Sequence, residues 1–350
     1  MKPPLMRDTA KRVFLRACKW LGLFRLARFA TRRGLRILCY HGFSFSDESS
    51  FHPKLFMRPE TFQMRMQFLS SHKYPVLSLE QACKDLANGS LPSGAVAITI
   101  DDGFFGVFQS AWPVIRMHSF PATVYVTSYY VGKQNPIFRI AIQYMFWKTN
   151  LEVLDSENLG LPLSGVLPLR PQKQKDETMW EIIRFGESHL EEPGRCMLAE
   201  ELGKRLDVGY RTLLERRSLN LMNFHEIHTL AEEGMDVQLH THRHRLPDEF
   251  DLVRQEIMHN RQCLEPLTGK KLRHLCYPSG IWSHQHWPWL ETLGILTATT
   301  CEPGLNYTDT PLLGLRRFLD GENISQIEFE AELSGFSELL RSARSALHWG

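Results

Sequence analysis

Two carboxylates stand side by side at the end of a buried strand. The run Ala95-Val96-Ala97-Ile98 is apolar with β-branched members, the pattern of a strand covered on both faces, and it leads into Thr99-Ile100-Asp101-Asp102-Gly103. A buried carboxylate is costly, and a second beside it more so, because burial disfavours each charge and each charge disfavours the other. A bound cation or a shared proton offsets that cost. Side chains alternate between faces along a strand, but at its end the chain turns, and Gly103 lets it turn so that both carboxylates reach one pocket. On its own, Asp-Asp-Gly is also an ordinary turn sequence.

A second strand end gives the pair a partner. Met235 to Leu239 reads as a strand and is followed by His240-Thr241-His242-Arg243-His244. Imidazoles suit zinc and its neighbours, and His at three of five positions at a strand end is hard to account for by packing. Together Asp102, His240 and His244 make a two-His, one-carboxylate set that leaves positions open for water, the layout of a catalytic metal site rather than a closed structural one. Asp101 is left over as a base. A further pair, in His225-Glu226-Ile227-His228, is one residue short of H-E-x-x-H. Asn223 with Glu226 reads instead as a helix N-cap with its capping-box partner, on a solvated helix.

In this order, both after strands, the two motifs resemble those of the polysaccharide deacetylases with a NodB-type domain, carbohydrate esterase family four. The resemblance runs from about Ile37 to about Asp320 with a long interruption, and points in particular to the permuted poly-N-acetylglucosamine deacetylase subgroup. The family's T-F-D-D-G is matched by Thr99 to Gly103 and its H-[ST]-x-x-H by His240 to His244. Its R-x-P-Y-G is met by Cys276-Tyr277-Pro278-Ser279-Gly280, with Cys276 in place of Arg and Ser279 in place of Tyr. In the family that Arg orients the catalytic Asp, and Arg317 is the candidate substitute here. The family's Tyr offers a backbone N–H to the oxyanion, so Tyr277, Pro278 and Ser279 are the expected substrate and oxyanion segment. The late L-x-H motif that supplies the family's acid has no counterpart, since His348 alone follows His286. Ile37-Leu38-Cys39-Tyr40-His41 looks like the subgroup's first-strand Y-H, which implies His41 as the acid.

The resemblance implies a distorted (β/α) barrel and a divalent metal, Zn²⁺ first with Co²⁺ or Ni²⁺ as alternatives. It implies removal of an N-acetyl group from an acetylated amino sugar in a polysaccharide or glycolipid. Deformylation of a lipid-linked amino sugar is the alternative within the same chemistry. The alternative of another class is a non-catalytic glycan- or lipid-surface binding protein on the same fold, which Cys276 and Ser279 keep open.

The rest of the chain fits an α/β protein. Strands are expected at Tyr74–Leu79, Ala122–Thr127, Leu272–Tyr277, Ile295–Thr300 and around Arg317, with helices between them and the candidate ligands at strand C-termini, as in a (β/α) barrel. Residues 1–34 form a basic amphipathic segment and 35–335 the barrel. An insertion at about 132–218 is expected over the mouth, with helices at 179–190 and 196–205, and 336–350 form a C-terminal helix or tail. Hydrophobic content of 43% excludes disorder, and a net charge of +2 makes no case for nucleic acid. The 7 Cys are odd in number and contain no C-x-x-C, which argues for reduced thiols and a cytoplasmic setting.

The N-terminus carries Lys2, Arg7, Lys11, Arg12, Arg16, Lys19, Arg25, Arg28, Arg32, Arg33 and Arg36 against Asp8, with Phe14, Leu15, Trp20, Leu21, Phe24 and Leu26 interleaved. Its longest uncharged stretch, Trp20 to Phe24, is far too short to span a bilayer. Residues 11–33 are expected either to rest on an anionic membrane, at the inner face, or to pack on the barrel bottom with the basic face in solvent.

Overall fold

In this computed structural model, which describes residues 4–162 and 165–348, the strands of the main sheet are short and parallel, and the central ones are buried. Lys2 of the basic run and residues 163–164 of the insertion lie outside the described residues. The strands are β1 (Arg36–Tyr40), β2 (Val76–Leu77), β3 (Val96–Ile100), β4 (Thr123–Val126), β5 (Asp236–Leu239), β6 (His274–Cys276), β7 (Thr297–Thr299) and β8 (Phe318–Leu319). Their spatial order is β7-β6-β5-β4-β3-β1-β8, with β2 beside the start of β3. The register of the central pair runs from Arg36 opposite Val96 to Tyr40 opposite Ile100.

The two edges meet just before β8. A parallel bridge joins Thr299 to Leu315, whose N–H donates to Ala298 O (3.0 Å) and whose O accepts from Thr300 N (2.8 Å). The sheet is therefore the expected distorted (β/α) barrel, closed through a single residue. Continuous burial explains why β1 and β3 lack polar alternation: helices cover their outer faces and the barrel core their inner ones. Several strands are shorter than the sequence suggests, Tyr74–Leu79 contracting to Val76–Leu77.

Helices α1 (Pro4–Trp20) and α2 (Leu23–Ala30) precede β1. Pro59 opens α3 (Pro59–Ser71), which buries Phe62, Met66 and Leu69 at helical spacing. Ser78 caps α4 (Leu79–Ala87) by accepting from Gln81 N at 3.2 Å. After β3 a π-helical turn, Val107–Ala111, leads into α5 (Trp112–Met117).

Between β4 and β5 stands a helical insertion of α6 (Phe138–Lys148), α7 (Gln172–His189), α8 (Glu192–Arg205) and α9 (Tyr210–Arg216), with a hairpin pairing Val153–Asp155 and Val166–Pro168. Its Ile142, Met145, Ile182 and Leu202 share the barrel's core. It packs beside the rim, against the loop after β1, where Tyr144 donates to Asp47 Oδ1 at 2.7 Å. α7 starts earlier than the expected 179, because its polar first turns carry no apolar periodicity to mark them.

α10 (Phe224–Glu232) has the capping box read from sequence, Asn223 with Glu226. α11 (Phe250–Thr268) precedes β6, and α12 (Gln326–Leu333) and α13 (Phe336–His348) close the chain. α1 and α2 pack Leu15, Cys18, Phe24 and Ala27 against Ile327, Ala331 and Phe336, a small core apart from the barrel's. All 7 cysteines are free thiols. Among the described residues no helix is long and apolar enough to cross a membrane.

Candidate metal and catalytic centre

The loops that carry the site leave β3, β5 and β6 through left-handed backbone. Asp102 has φ +67° and Gly103 +86°, Thr241 +62° and His244 +54°, Ser279 +56°. Such a conformation in non-glycine residues persists only where the surroundings hold it. Two left-handed residues in succession turn the chain sharply after Asp101. Asp101 and Asp102 then both face the mouth, as neighbours on a continuing strand would not.

Asp102, His240 and His244 meet there. His240 Nε2 lies 3.3 Å and His244 Nε2 3.4 Å from Asp102 Oδ1, and one ligand atom from each residue falls within 4.8 Å of the others. His240 Nδ1 sits 2.9 Å from the carbonyl oxygen of Cys276. A carbonyl only accepts, so Nδ1 carries the proton and Nε2 is left for the pocket, the arrangement found behind metal-bound histidines. Desolvation and the charge of His240 push His244 down to about 4. Burial would raise Asp102, but hydrogen bonding to His240 and the charges of His244 and His41 outweigh it and bring it below the usual carboxylate range. Asp102 is thus kept ionised and His244 neutral, the forms in which both bind a metal, and the donors that converge here are of borderline softness, so the residues fit a divalent cation.

Two residues that the sequence reading missed hold the His loop. Asn260 accepts from His240 N–H (3.0 Å) and donates to Val126 O (3.0 Å) and Ser128 Oγ (2.9 Å). Glu256 accepts from Arg243 N–H (2.7 Å) and Arg245 Nε (3.1 Å). Both lie on the buried stripe of α11 with Val253, Ile257 and Leu264. Polar residues spaced like core residues were the signal available in the sequence.

Asp101 occupies the neighbouring corner. Arg317 grips it with both terminal nitrogens, Nη1 to Oδ1 at 2.7 Å and Nη2 to Oδ2 at 2.8 Å, while its Nε donates to Thr300 O at 2.8 Å. Cys276 Sγ lies 3.3 Å from Asp101 Oδ2 and 3.1 Å from Arg317 Nη2. The short thiol at the motif's Arg position therefore stands beside a guanidinium that arrives from the approach to β8. Cys39 Sγ adds a contact at 3.4 Å. Burial alone would raise the Asp101 carboxyl, but Arg317 beside it wins and holds it far below the usual range. His41 Nε2 is 3.7 Å from Asp101 Oδ2. The side chains of His41 and His244 are 19% and 34% exposed while Arg317 is fully buried, so the pocket opens on the side of the two imidazoles.

Of the expected substrate segment, two of the three residues have no N–H free for an oxyanion. The buried Tyr277 hydroxyl donates to Leu313 O (2.8 Å) and its N–H to Thr299 O (3.1 Å), so both are committed to the barrel wall. Pro278 has no N–H to offer. Ser279, at the left-handed turn, remains as the residue whose backbone N–H is available to a substrate.

With this geometry in view, the family model for polysaccharide deacetylases matches residues 217–298, the stretch that carries His240, His244 and Ser279. The putative polysaccharide deacetylase YxkH of Bacillus subtilis is 28% identical over 144 residues, 41% of this chain and 48% of that protein. The poly-beta-1,6-N-acetyl-D-glucosamine N-deacetylase of Staphylococcus aureus is 27% identical over 74 residues, 21% of this chain and 26% of that protein. The chain thus spans half or less of the curated relatives it matches. Among solved structures, the Streptococcus pyogenes deacetylase PplD in complex with acetate superposes with a TM-score of 0.56 at 17% identity, covering 86% of this chain and 98% of that one. IcaB from Ammonifex degensii does so with a TM-score of 0.54 at 18% identity, covering 86% and 97%. These likenesses match the barrel fold. The resemblance read from the motifs is thus matched by a polysaccharide deacetylase domain over residues 217–298, by deacetylases among the curated relatives and by the fold.

Proposed function

We propose that the protein is a metal-dependent de-N-acetylase that cleaves the linear amide C–N bond of an N-acetylated amino sugar. One observation carries this reading: a carboxylate kept ionised by Arg317 and flanked by His41 sits next in the chain to one turned toward His240 and His244. A divalent cation held by Asp102, His240 and His244, with Zn²⁺ first and Co²⁺ or Ni²⁺ as alternatives, would polarise the acetyl carbonyl and acidify a water.

The chain's own groups do the rest. Asp101 is ionised and accepts the proton of the attacking water. Arg317 fixes the carboxylate so that it cannot swing away. His41, on the open side of Asp101, protonates the departing amine, and the Ser279 N–H offers a hydrogen bond to the developing oxyanion. The name of the S. aureus relative supports a polymer of N-acetylglucosamine type as substrate class. Nothing in the site favours a formyl over an acetyl group, and the full set of polar groups gives no support to a purely binding role. We extend the reading to the N-terminus: residues 11–33 rest on an anionic membrane, at the cytoplasmic face, which their basic and aromatic composition supports.

The test is a pair of measurements on purified variants. Asp102→Ala, His240→Ala and His244→Ala should each lose bound metal with the circular dichroism of the fold preserved. Asp101→Asn should keep the metal and lose about two to four orders of magnitude in turnover on an acetylated oligosaccharide. Stoichiometric metal in all of the ligand variants, or an Asp101→Asn enzyme within a few-fold of wild type, overturns the assignment.

A further inference from the structure

The helices before β1 are packed on one side only. Leu15, Cys18, Phe24 and Ala27 are buried, but Trp20 is 87% exposed, Leu21 64%, Leu26 65% and Phe29 67%. Helical spacing puts Val13 and Trp20 opposite Leu15 and Cys18, and Leu26 and Phe29 opposite Phe24 and Ala27. The two outer faces follow one another through the left-handed turn at Gly22. Single exposed apolar residues are ordinary, but a row of large ones on consecutive helices marks an interaction surface. Its charge says with what. Exposed Arg16, Arg25 and Arg33 flank the row and form no ion pair among the described residues, whereas Lys11 and Lys19 on the inner side pair with Glu328 and Glu330. An apolar, Trp-bearing face bordered by unneutralised arginines complements an anionic lipid surface.

Its place in the fold adds an orientation. Arg28 lies over the Tyr74 ring at 4.0 Å, just before β2, and Arg32 O accepts from Gly94 N–H at 2.9 Å, just before β3. α2 therefore covers the N-terminal ends of the strands, while the candidate site lies at their C-terminal ends. We infer that the outer faces of α1 and α2 seat the bottom of the barrel on an anionic bilayer and leave the mouth facing away from it. This inference rests on the membrane reading of residues 11–33 and is independent of the deacetylase chemistry. It also narrows the substrate. A five-residue strand such as β3 spans ~17 Å, so a sugar joined directly to a lipid of the same bilayer does not reach the mouth, whereas a glycan extending from the surface, or a free one, does.

The test uses the full chain and vesicles of phosphatidylcholine, alone or mixed with phosphatidylglycerol. Binding should require the anionic lipid, fall with added salt and drop about tenfold or more in the double variant Leu26→Ser/Phe29→Ser. Brominated lipids should quench tryptophan fluorescence in the wild type, and Trp20→Phe should bind and lose that quenching. Failure to bind the mixed vesicles overturns the membrane reading and the inference together, and a concentration-dependent dimer in sedimentation would then assign the face to a second copy of the chain. Binding with quenching that survives Trp20→Phe and is lost in Trp282→Phe, on the loop after β6, overturns the orientation alone.

Discussion

Two arginine–aspartate pairs are buried on either side of β1, and they are tuned in opposite directions. Asp101 follows β3 and is gripped by Arg317; Asp320 follows β8 and is gripped by Arg65 of α3. In the first pair both terminal nitrogens of the guanidinium serve the carboxylate at 2.7 and 2.8 Å, and His41 and His240 add positive charge. In the second, Arg65 gives Asp320 contacts at 2.9 and 3.4 Å and shares its donors with Ile324 O and Gln326, its plane lying over Phe329. Burial prevails there and pushes Asp320 up to about 6, against Arg65. The same residue types at equivalent strand ends thus become an ionised group at the mouth and a clamp between barrel and helices. Each arginine sets two nitrogens on its carboxylate, and the difference lies in how closely they meet it and in the further positive charge that His41 and His240 bring to Asp101.

Breaking the pairs tests this contrast. Arg317→Met should have the largest effect. It leaves Asp101 buried without its counter-charge, which costs about 3–5 kcal/mol of stability, seen in urea denaturation. Turnover of the folded fraction should fall by about two orders of magnitude or more. Arg317→Lys should not restore it, because an ammonium cannot reproduce the two-pronged grip.

Arg65→Met should lose stability on a similar scale, at most about 3–5 kcal/mol, while its folded fraction keeps turnover within a few-fold of wild type. Equal losses of turnover in the two arginine variants would erase the distinction between them.

A smaller effect sharpens the role of the mouth. His41→Ala should slow amide hydrolysis by about two orders of magnitude and activated acetate esters much less, since their leaving groups need no proton. Parallel losses on both substrates would make His41 a support for Asp101 instead.

The smallest effect is a pH dependence. A carboxyl whose folded pKa of about 6 lies above its unfolded value binds its proton more tightly in the folded state. Its contribution to stability therefore grows as pH falls from about 7 toward about 4. Relative to Asp320→Asn, the wild type should gain up to about 3 kcal/mol over that fall, measured by urea denaturation at each pH. A flat difference would show that Arg65 compensates Asp320 fully.

Much of this molecule was legible locally. Apolar, β-branched runs announce strands because burial on both faces selects them, and the motifs after β3 and β5 stand out because carboxylates and imidazoles at such places need a reason. The Asn223 cap was readable because a capping box is a contact between near neighbours in sequence. Position along the chain also told that the first helices are basic and amphipathic, though not which face is covered. Periodicity reports that a residue is buried but not what it touches. Arg317 meets Asp101 across 216 positions and Asn260 meets Val126 across 134. Those meetings depend on strand order, register and the closure at Leu315, which no local pattern encodes. The left-handed backbone that brings Asp101 and Asp102 into one mouth is likewise held by tertiary packing, since an isolated Asp-Asp-Gly has little reason to adopt it. The sequence by itself determined which groups are available and at which strand ends. The tertiary structure decided that Arg317 reaches Asp101 beside Cys276, that the Tyr277 hydroxyl and N–H bond to the barrel wall, and that Asp101 is ionised while Asp320 is not held so, because donor geometry and desolvation exist only once the barrel has closed.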